Sequence, residues 1–447
     1  MEFKDIPIIN DTIVPDSDAE IRQKLQELGH PMVLPNETEE LRKQRYINIT
    51  QPTDRDEIEE DEEEEEEEFY TPGVEAVFDK RKDILSFSVL RASERLKRLK
   101  AMNPVPMSKI LESRRSLNSQ LSQFDMYGTQ LIPGNTRAIS CVRYSKMSEY
   151  IAVGSWDGSV SILNSNDLLV VKRAVPGKYH TEKVSALDWD MSNDHIDKNK
   201  LVSGGNEGTL NLWTIEGKDA FTPEISIKEA HDQRITKTLF HPISDLIIST
   251  SFDKTWKLWD MSKQTELYQQ EGHSKEVFSG AIHPDGSLFT SGGLDGAVIT
   301  WDLRSGRSIL SFGNHLGGIY SVDWSSNGYH LVAGDANGVI RVYDIRKKEA
   351  ITDILGHKKA ISDVRFYHQR EILHNRIQEG KDSGKFLISS SFDGIVNIWS
   401  ADNWIKIKSL QGHNDKVMSC DIRGDGKAIV SGGWDRSVKT WIPYIYN

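Results

Sequence analysis

Cysteine is scarce in this chain, with only Cys141 and Cys420 among 447 residues. A disulfide framework or a cysteine-based zinc site needs more thiols than these two, so the sequence predicts neither. A low cysteine count is typical of proteins that work in a reducing compartment.

Long apolar runs are also missing. No stretch approaches the ~18 consecutive apolar residues of a membrane-spanning helix. The first residues, MEFKDIPIINDTIVPDSD, do not place a basic segment before an apolar run, so we expect no secretory signal. The sequence shows no phosphate-binding loop, metal-ligand cluster or unrepeated catalytic constellation. It therefore predicts a non-enzymatic protein with no cofactor, no metal and no catalytic residue.

Charge is distributed unevenly along the chain. The net charge is −16 over residues 1–68, +6 over residues 74–124 and −2 over residues 125–447, which gives −12 in all. A change of sign between neighbouring segments favours interaction segments over an enzyme surface. The chain therefore divides into an acidic head, a basic neck and a near-neutral body.

The body contains seven related segments, most of which end in an aromatic residue. They are GSWDGSVSIL, GGNEGTLNLW, TSFDKTWKLW, GGLDGAVITW, GDANGVIRVY, SSFDGIVNIW and GGWDRSVKTW, and they end at Leu163, Trp213, Trp259, Trp301, Tyr343, Trp399 and Trp441. Asp, Gly or Lys between two alternating runs is typical of β-hairpins. Seven such units in register resemble the WD-repeat family, and that resemblance implies a seven-bladed propeller of four-stranded blades.

The predicted fold class is therefore all-β, a seven-bladed WD-repeat propeller with an α-helical, partly disordered N-terminal extension. We expect a helical hairpin over residues 1–50, an acidic spacer over 51–70, basic amphipathic helices over 71–124 and the propeller over 125–447. Few residues follow Trp441, so the last blade needs a strand from elsewhere. Residues 126–132 are the best candidate, because such pairing removes an exposed sheet edge.

A histidine, a serine, an Asp and a tryptophan recur in every well-formed repeat. Ser431, His413 and Asp435 look like a catalytic triad, but five blades contain a similar set and an enzyme needs only one. We therefore expect structural hydrogen-bond chains that satisfy buried polar groups. The clearest sets are His231, Ser249, Asp253 and Trp259; His273, Ser291, Asp295 and Trp301; and His413, Ser431, Asp435 and Trp441.

Two blades lack parts of this set. Blade 1 has Val153 and Leu163, and blade 5 has Ala333, Asn337 and Tyr343, at the corresponding positions. We predict that these blades are the less rigid ones, and that hydrogen exchange is faster in them.

The resemblance to WD-repeat proteins also implies a binding face. In that family the residue before the turn Asp, and the residue five after the histidine, line the mouth of the central channel. Aromatic side chains and Met are typical binding anchors, so we predict a partner-binding mouth. The alternative is that these side chains only pack on one another. They are Trp156, Phe252, Phe278, Tyr320, Phe392, Met418 and Trp434.

An alternative function follows from the endings WDLR and YDIR, which contain Arg304 and Arg346. This ending resembles the docking motif of WD-repeat substrate receptors of cullin-type ubiquitin ligases. The motif is short and common in propellers, so we keep it as the alternative.

The head shows two short helical patterns. A capping-box pattern starts each of them, at Ser17 and at Asn36. In the first, Ile21, Leu25 and Leu28 form one apolar face. A hairpin of about thirty residues is too small for a deep core, so we expect it to pack on, or bind, another surface. The acidic run that follows, residues 54–68, is predicted to be disordered and to act as a spacer, with mimicry of nucleic acid or binding of basic tails as alternatives.

The neck is predicted to contain two amphipathic helices. The first begins at Thr71–Pro72 and ends at Asn103–Pro104, and the second is capped near Ser108. The first helix has an apolar seam and, roughly 110° away, a basic face. The seam contains Phe78, Leu85, Val89, Ala92, Leu96 and Leu99, and the basic face contains Arg91, Arg95 and Arg98.

The order of these parts resembles the pre-mRNA-processing factor 4 family, the WD-repeat subunits of the U4/U6 small nuclear ribonucleoprotein. Residues 18–45 look like the splicing-factor motif of that family. The other matching stretches are FSVLRASERLKRL (87–99), TWKLWD (255–260), QEGHSKEVF (270–278) and SSNGYHL (325–331). The glutamate run and an insertion in blade 6 depart from the pattern.

That resemblance implies a nuclear scaffold that holds the paired U4/U6 RNAs together with processing factor 3 and joins the U4/U6.U5 tri-snRNP. In this hypothesis the neck seam packs on a protein partner while Arg91, Arg95 and Arg98 face RNA phosphates. Whether the contact with U4/U6 RNA is direct stays open at this point.

Overall fold

The computed structural model describes residues 17–28, 30–32, 38–50, 73, 75–102, 104–192, 199–215, 221–243, 245–313, 315–373, 376–380 and 382–444. The chain divides into two compact units, residues 1–68 and residues 69–447. Within the described ranges, no helix is long and apolar enough to cross a membrane. The acidic run 54–68 and the predicted helix starts at Asn36 and Thr71–Pro72 lie outside the described residues.

The first unit contains the two predicted head helices, α1 (Asp18–Glu27) and α2 (Glu39–Thr50). Ile21 and Leu25 of α1 are buried against Tyr46 of α2. Arg42 of α2, which is also buried, donates a hydrogen bond to the Asp18 carboxylate at 2.5 Å. A small apolar contact and an ion pair thus join the two helices.

Two details of the head differ from the sequence-based expectation. Ser17 is the N-cap of α1, but its side chain makes no capping hydrogen bond. Leu28 lies beyond the end of α1 and is 50% exposed, so the apolar face is limited to Ile21 and Leu25. The helix ends one residue too early to carry Leu28 onto that face.

The second unit contains seven four-stranded antiparallel sheets, one per blade, as predicted. Blade 1 consists of β2 (Ile139–Tyr144), β3 (Tyr150–Ser155), β4 (Val160–Asn164) and β5 (Val170–Arg173). Blade 2 consists of β6 (Val184–Trp189), β7 (Lys200–Gly205), β8 (Leu210–Thr214) and β9 (Ile225–Ile227). Blade 3 consists of β10 (Ile235–Phe240), β11 (Leu246–Ser251), β12 (Trp256–Asp260) and β13 (Thr265–Gln270). Blade 4 consists of β14 (Val277–Ile282), β15 (Leu288–Gly293), β16 (Val298–Asp302) and β17 (Arg307–Phe312).

The remaining blades follow the same plan with two variations. Blade 5 consists of β18 (Ile319–Trp324), β19 (His330–Asp335), β20 (Val339–Asp344) and β21 (Glu349–Leu355). Blade 6 consists of β22 (Ile361–Phe366), β25 (Phe386–Ser391), β26 (Ile395–Ser400) and β27 (Lys406–Gln411), with a hairpin, β23 (Arg370–Leu373) and β24 (Arg376–Glu379), inserted after its first strand. Blade 7 consists of β28 (Val417–Ile422), β29 (Ile429–Gly433), β30 (Ser437–Pro443) and β1 (Phe124–Leu131).

Strand β1 closes the ring, which confirms the prediction for residues 126–132. It pairs antiparallel with β30, from Phe124 opposite Pro443 to Leu131 opposite Ser437. Blade 7 therefore joins the N-terminal end of the propeller to its C-terminal end. This pairing covers an edge that three strands alone would leave open.

The blades pack closely because small residues stand where neighbouring sheets meet. A Cβ atom added at Gly292 of β15 would lie 2.7 Å from Cγ2 of Ile319 in the next blade. Six tryptophans are fully buried: Trp189, Trp213, Trp256, Trp301, Trp324 and Trp441. Glycines at the close approaches and large rings elsewhere together fill the space between the sheets.

The neck forms part of the same compact unit as the propeller. Helix α3 (Ala76–Met102) inserts Val77 and Ile84 into the apolar core of blades 3 and 4. Helix α4 (Met107–Ser122) buries Leu121 and partly buries Leu117 against blades 6 and 7, and then leads directly into β1. Predicted Ser108 lies one residue inside α4, whose N-cap is Pro106.

Candidate partner-binding surfaces

The repeated histidines, serines and acids form buried hydrogen-bond chains. In blade 3, Nδ1 of His231 lies 2.7 Å from the Asp253 carboxylate and Nε2 lies 2.7 Å from Oγ of Ser249. Trp259 donates its Nε1–H to the same Oγ at 2.8 Å. One neutral histidine tautomer satisfies the whole chain, with Nδ1–H donating to the acid and Nε2 accepting from the serine.

The same chain recurs in four other blades. Blades 4, 6 and 7 repeat it in full, and blade 2 has Glu207 in place of the Asp. The serine of each chain is buried, at Ser203, Ser291, Ser389 and Ser431. Five copies in the interior of five sheets serve the fold, because a catalytic serine would need access to a substrate.

Blade 5 lacks the chain, and the reason is visible at His315. Its Nδ1 lies 3.6 Å from the Asp335 carboxylate, which is too long for a hydrogen bond. Neither ring nitrogen of His315 has a hydrogen-bond partner among the described residues. Ala333 and Tyr343 occupy the serine and tryptophan positions and are buried. The lower rigidity of blades 1 and 5 stays a prediction.

The structure brings the candidate mouth residues together. Four of them, Trp156, Phe252, Phe392 and Trp434, stand at turns between the second and third strands of their blades. The other three, Phe278, Tyr320 and Met418, are the second residues of the inner strands β14, β18 and β28. We call these seven side chains the aromatic mouth.

The rings of the aromatic mouth contact one another. Trp156 and Trp434 meet edge to face with centroids 5.2 Å apart, and Phe278 meets Tyr320 in the same way at 4.7 Å. Phe252 lies 6.1 Å from Phe278. Such pairs add about 0.5–1.5 kcal/mol each beyond the burial of their area. These rings therefore pack on one another, and five of the seven side chains also line a depression in the propeller.

Three cations cover the faces of these rings, and sequence reasoning missed them. Nζ of Lys183 lies 4.6 Å from the Trp156 ring centre, and the Arg234 guanidinium lies 3.4 Å from that of Phe252. Nζ of Lys416 lies 4.8 Å from Trp434 and 5.4 Å from Phe392. A sequence signal existed, because each cation stands three residues after the histidine of its blade.

An ionic cluster forms the floor beneath the aromatic mouth. Arg143 donates to the Asp363 carboxylate at 3.0 Å, and Nζ of Lys237 lies 3.8 Å from the same group. Burial alone would raise the pKa of Asp363, but Arg143, Lys237 and Arg365 outweigh it and hold that pKa far below its ordinary value. Burial lowers the pKa of Lys237 to about 8 in spite of Asp363.

The neck arginines face the propeller, which corrects the prediction that they face RNA phosphates. Arg95 binds both oxygens of Asp285 at 2.6–3.1 Å and the backbone oxygen of Asn327 at 2.8 Å. Its side chain is only 14% exposed. A Cβ atom at Gly328 would lie 2.6 Å from Cζ of Arg95, so the glycine leaves the space that the guanidinium fills.

The other two arginines complete this inward face. Arg98 donates to the Glu379 carboxylate at 2.6 Å, in the hairpin inserted in blade 6. Arg91 lies over the Phe87 ring at 5.4 Å, and burial lowers its pKa. The basic face of α3 lies against the propeller because acidic and carbonyl oxygens are available there. Turns of blades 4 and 5 and the hairpin in blade 6 supply these oxygens.

Asp285 and Asn327 belong to turns between first and second strands, whereas the aromatic mouth uses turns between second and third strands. Successive turns of an antiparallel sheet lie at opposite ends of the strands. Helix α3 and the aromatic mouth therefore occupy opposite faces of the propeller.

The apolar seam of α3 points away from the propeller. Phe78 is 57% exposed, Leu85 46%, Val89 56% and Leu96 49%. We call these four residues the outward stripe. Leu99 is half-buried, so it lies at the edge of the stripe. From Phe78 to Leu96 the stripe extends over nineteen residues, and the eighteen steps between them rise by about 27 Å.

Arg304 and Arg346, which motivated the alternative function, make local contacts. Arg304 donates to Asp302 at 2.8 and 2.9 Å, and Arg346 donates to Asp344 at 2.6 and 3.0 Å. Arg346 also lies over the Tyr329 ring at 3.7 Å. Each arginine thus fixes the turn after the third strand of its blade, and the receptor interpretation gains no support from this geometry.

Comparison with known proteins agrees with the architecture. The family model described as "WD domain, G-beta repeat" matches residues 128–164, 177–214, 223–260, 264–302, 306–344, 348–400 and 404–441. The chain is 42% identical over 441 residues to the U4/U6 small nuclear ribonucleoprotein PRP4 of Saccharomyces cerevisiae, covering 96% of this chain and 90% of that protein.

Two further relatives match shorter parts of the chain. An uncharacterized WD repeat-containing protein of Schizosaccharomyces pombe is 34% identical, over 54% of this chain and 52% of its own length. A PRP4-like U4/U6 small nuclear ribonucleoprotein protein of Arabidopsis thaliana is 45% identical over 58 residues, 13% of this chain and 10% of its own length. Because the similarity to the yeast protein spans nearly all of both chains, this chain belongs to the PRP4 family of WD-repeat U4/U6 small nuclear ribonucleoprotein proteins.

Proposed function

We propose that this chain is a non-enzymatic, nuclear scaffold subunit of the U4/U6 snRNP and of the U4/U6.U5 tri-snRNP in pre-mRNA splicing. The observation that carries the proposal is 42% identity to yeast PRP4 along 96% of the chain. The similarity therefore includes the head and neck as well as the WD repeats. Those two segments are where a scaffold of this family would differ from other propellers.

In this proposal two opposite faces of the propeller bind different proteins. The aromatic mouth binds one partner, and the outward stripe of α3 packs against a helix of another, for which processing factor 3 is our candidate. Exposed apolar side chains along about 27 Å of a helix match the length of a partner helix of about eighteen residues. Isolated exposed apolar residues are common, but a continuous row of four is typical of an interface.

The orientation of α3 also changes the proposed role toward RNA. Because Arg95 and Arg98 are bound to Asp285 and Glu379, the neck has little charge left on that face for phosphates. The scaffold therefore helps to hold U4/U6 RNA through its protein partners. This version replaces direct phosphate contact by Arg91, Arg95 and Arg98.

Affinity purification of the tagged full chain from nuclear extract, followed by sequencing of the bound RNA, tests the proposed function. We expect U4 and U6 RNA to be enriched together, along with processing factor 3. Enrichment of neither RNA would overturn the assignment to the U4/U6 particle. Recovery of a cullin adaptor, lost in the Arg304→Ala, Arg346→Ala double variant, would favour the alternative function instead.

A double variant tests the outward stripe within the same purification. Val89→Glu with Leu96→Glu places charges in the stripe, so we expect processing factor 3 to be lost while the melting temperature stays unchanged. Lys82→Glu with Lys100→Glu is the matched control, since both lysines are exposed on the same helix. Equal recovery of processing factor 3 by both variants would show that the outward stripe does not bind it.

A further inference from the structure

The aromatic mouth carries an excess of positive charge. The residues that line the depression there include four cations, Arg143, Lys183, Arg234 and Lys237, and one carboxylate, Asp363. That carboxylate is already bound by Arg143 on the floor. Lys416 adds a further cation at the rim. Among the described residues that line the depression, no second carboxylate is available to the rim cations.

Three acids close to these rim cations, Glu182, Glu276 and Asp415, do not line the depression. Glu182 lies close to Lys183, but its carboxylate accepts a hydrogen bond from Asn206 at 2.6 Å. Glu276 lies close to Arg234. Burial lowers the pKa of Lys183, and the neighbouring Arg234 lowers it further. Partly desolvated cations that repel each other are stabilised by any anion that enters between them.

The ring faces decide between two kinds of anionic polymer. Single-stranded RNA is usually held by bases that stack on free aromatic faces. Here Lys183 covers Trp156, Arg234 covers Phe252 at 3.4 Å, and Lys416 covers Trp434. Of the remaining rings, Phe278 and Tyr320 meet edge to face, and Lys416 also lies over Phe392 at 5.4 Å. A carboxylate can bind the cations without displacing them from the rings, whereas a base would have to replace them.

The centre of the mouth offers an apolar position as well. Phe278, Tyr320, Phe392 and Met418 all line the depression. Aromatic residues and Met in such a pocket accept one large apolar side chain, and the surrounding polar rim orients it. The Nε1–H of Trp156 and the Nε–H of Arg234 have no hydrogen-bond partner among the described residues.

We propose that the aromatic mouth binds an acidic peptide segment that carries one large apolar side chain. Its carboxylates pair with Lys183, Arg234 and Lys416, and its apolar side chain enters the depression that Phe278, Tyr320, Phe392 and Met418 line. The identity of the protein that supplies this segment rests on the proposed scaffold function, but the chemistry of recognition does not.

The probe for the test is a short fluorescein-labelled peptide in which Asp and Glu flank a single leucine. The control peptide has Asn and Gln in place of the acids, and an oligouridine of equal length is the RNA probe. Fluorescence anisotropy with the full chain should show the acidic peptide binding at least about tenfold more tightly than the amide peptide, and weakening as salt is added. Equal binding of the two peptides, or tighter binding of the oligouridine, would overturn the proposal.

A charge-neutralising variant locates the binding. Lys183→Gln with Lys416→Gln should weaken binding of the acidic peptide about tenfold or more. Lys263→Gln with Lys427→Gln removes the same charge from exposed turns on the opposite face and should leave the affinity unchanged. Equal affinities for the two double variants would sink the proposal. If the peptide fails to bind while U4 and U6 RNA still co-purify with the chain, the mouth proposal fails and the scaffold proposal stands. If the peptide binds while neither RNA co-purifies, the scaffold proposal fails and the mouth proposal stands.

Discussion

At the scale of a single residue, the hydroxyl of Ser291 serves two buried neighbours at once. Trp301 donates its Nε1–H to Oγ at 2.9 Å, and Nε2 of His273 lies 2.7 Å from the same atom. The other ring nitrogen of His273 reaches Asp295. Burial alone would raise the pKa of Asp295, but the hydrogen bond with His273 and backbone N–H groups hold it at about 2. The acid therefore stays ionised at neutral pH and keeps the histidine in one tautomer.

Replacing Ser291 by Ala should destabilise the protein by about 2–4 kcal/mol, because the indole and the imidazole each lose a buried partner. Urea unfolding at neutral pH measures the difference. Ser308→Ala in the outer strand of the same blade is the control, since Ser308 is exposed and should matter by no more than about 0.5 kcal/mol. Similar losses for the two variants would contradict the role of the chain.

His241 gives the propeller a dependence on pH. Its Nε2–H donates to the Gly286 backbone oxygen at 2.7 Å, and its Nδ1 accepts from the Ile243 backbone N–H at 3.1 Å. Burial, together with nearby Arg91, lowers the pKa of His241 from 6.5 to about 4. The unfolded chain therefore binds a proton at this histidine between pH 6.5 and 4, while the folded chain does not. Stability from this group is complete above pH 6.5 and is lost as the pH falls toward 4.

We expect His241 to account for about 2 kcal/mol of lost unfolding free energy between pH 7 and pH 5. The His241→Gln variant should show a correspondingly smaller loss over that interval, whatever its stability at pH 7. His30→Gln, at an exposed histidine of the head, should retain the full pH dependence. Denaturant unfolding of all three proteins at both pH values makes the comparison, and parallel pH profiles for wild type and His241→Gln would rule the effect out.

At the scale of an element, α3 shows how an amphipathic helix can be oriented by its charged face. Val77 and Ile84 anchor its first half in the blade 3 and 4 core, and Arg95 anchors its second half on Asp285. The seam of leucines and valine is left outside. The apolar seam of an amphipathic helix normally faces the protein core. In the second half of α3 an arginine faces the propeller instead, because the Asp285 carboxylate and a backbone carbonyl accept its hydrogen bonds.

Removing Arg95 should release the second half of α3. Arg95→Ala leaves Asp285 buried without its partner, which costs about 3–5 kcal/mol. Arg98→Ala is the matched control, since that side chain is 46% exposed and its ion pair should contribute less than about 1 kcal/mol. Hydrogen exchange across residues 84–102 should rise in the first variant and stay near wild type in the second. Equal protection in both variants would mean that the apolar contacts alone hold the helix.

At the scale of the whole molecule, one strand from before blade 1 completes blade 7. Phe124 is buried at the start of this strand, and register pairs run from there to Leu131. The ring is therefore closed by contacts between residues more than three hundred positions apart. Closure converts seven neighbouring sheets into one cooperative body, because opening it would expose two sheet edges.

A pair of N-terminal deletions tests the closure. A chain that begins at residue 124 keeps β1 and loses the neck, whereas a chain that begins at residue 132 loses β1 as well. We expect the chain that begins at residue 132 to melt about 10 °C below the chain that begins at residue 124, because it lacks a whole strand and buried Phe124. Scanning calorimetry compares the two chains, and equal melting temperatures would show that β1 is dispensable.

The candidate site was only partly predictable from the sequence. The seven positions of the aromatic mouth follow from the repeat register, because a repeat fixes the place of each residue within its blade. Lys183, Arg234 and Lys416 share one position relative to the blade histidine, yet other blades have Glu276, Gly318 and Ala360 there. Because this position is cationic in only some repeats, the repeat pattern does not reveal its role. The role becomes visible in the folded propeller, where the three cations lie over aromatic side chains.

The sequence by itself determined the number of blades, the hydrogen-bond chain that recurs in five of them and the strand that closes the ring. These features depend on turn residues, on alternation within strands and on a repeated set of side chains, all of which are local or periodic. Only the tertiary structure decided which face of α3 meets the propeller, because the helical period gives the angle between Leu85 and Arg95 but not the location of Asp285. That acceptor comes from a turn 190 positions further along the chain, and its contact with Arg95 exists only once blades 4 and 5 have folded side by side.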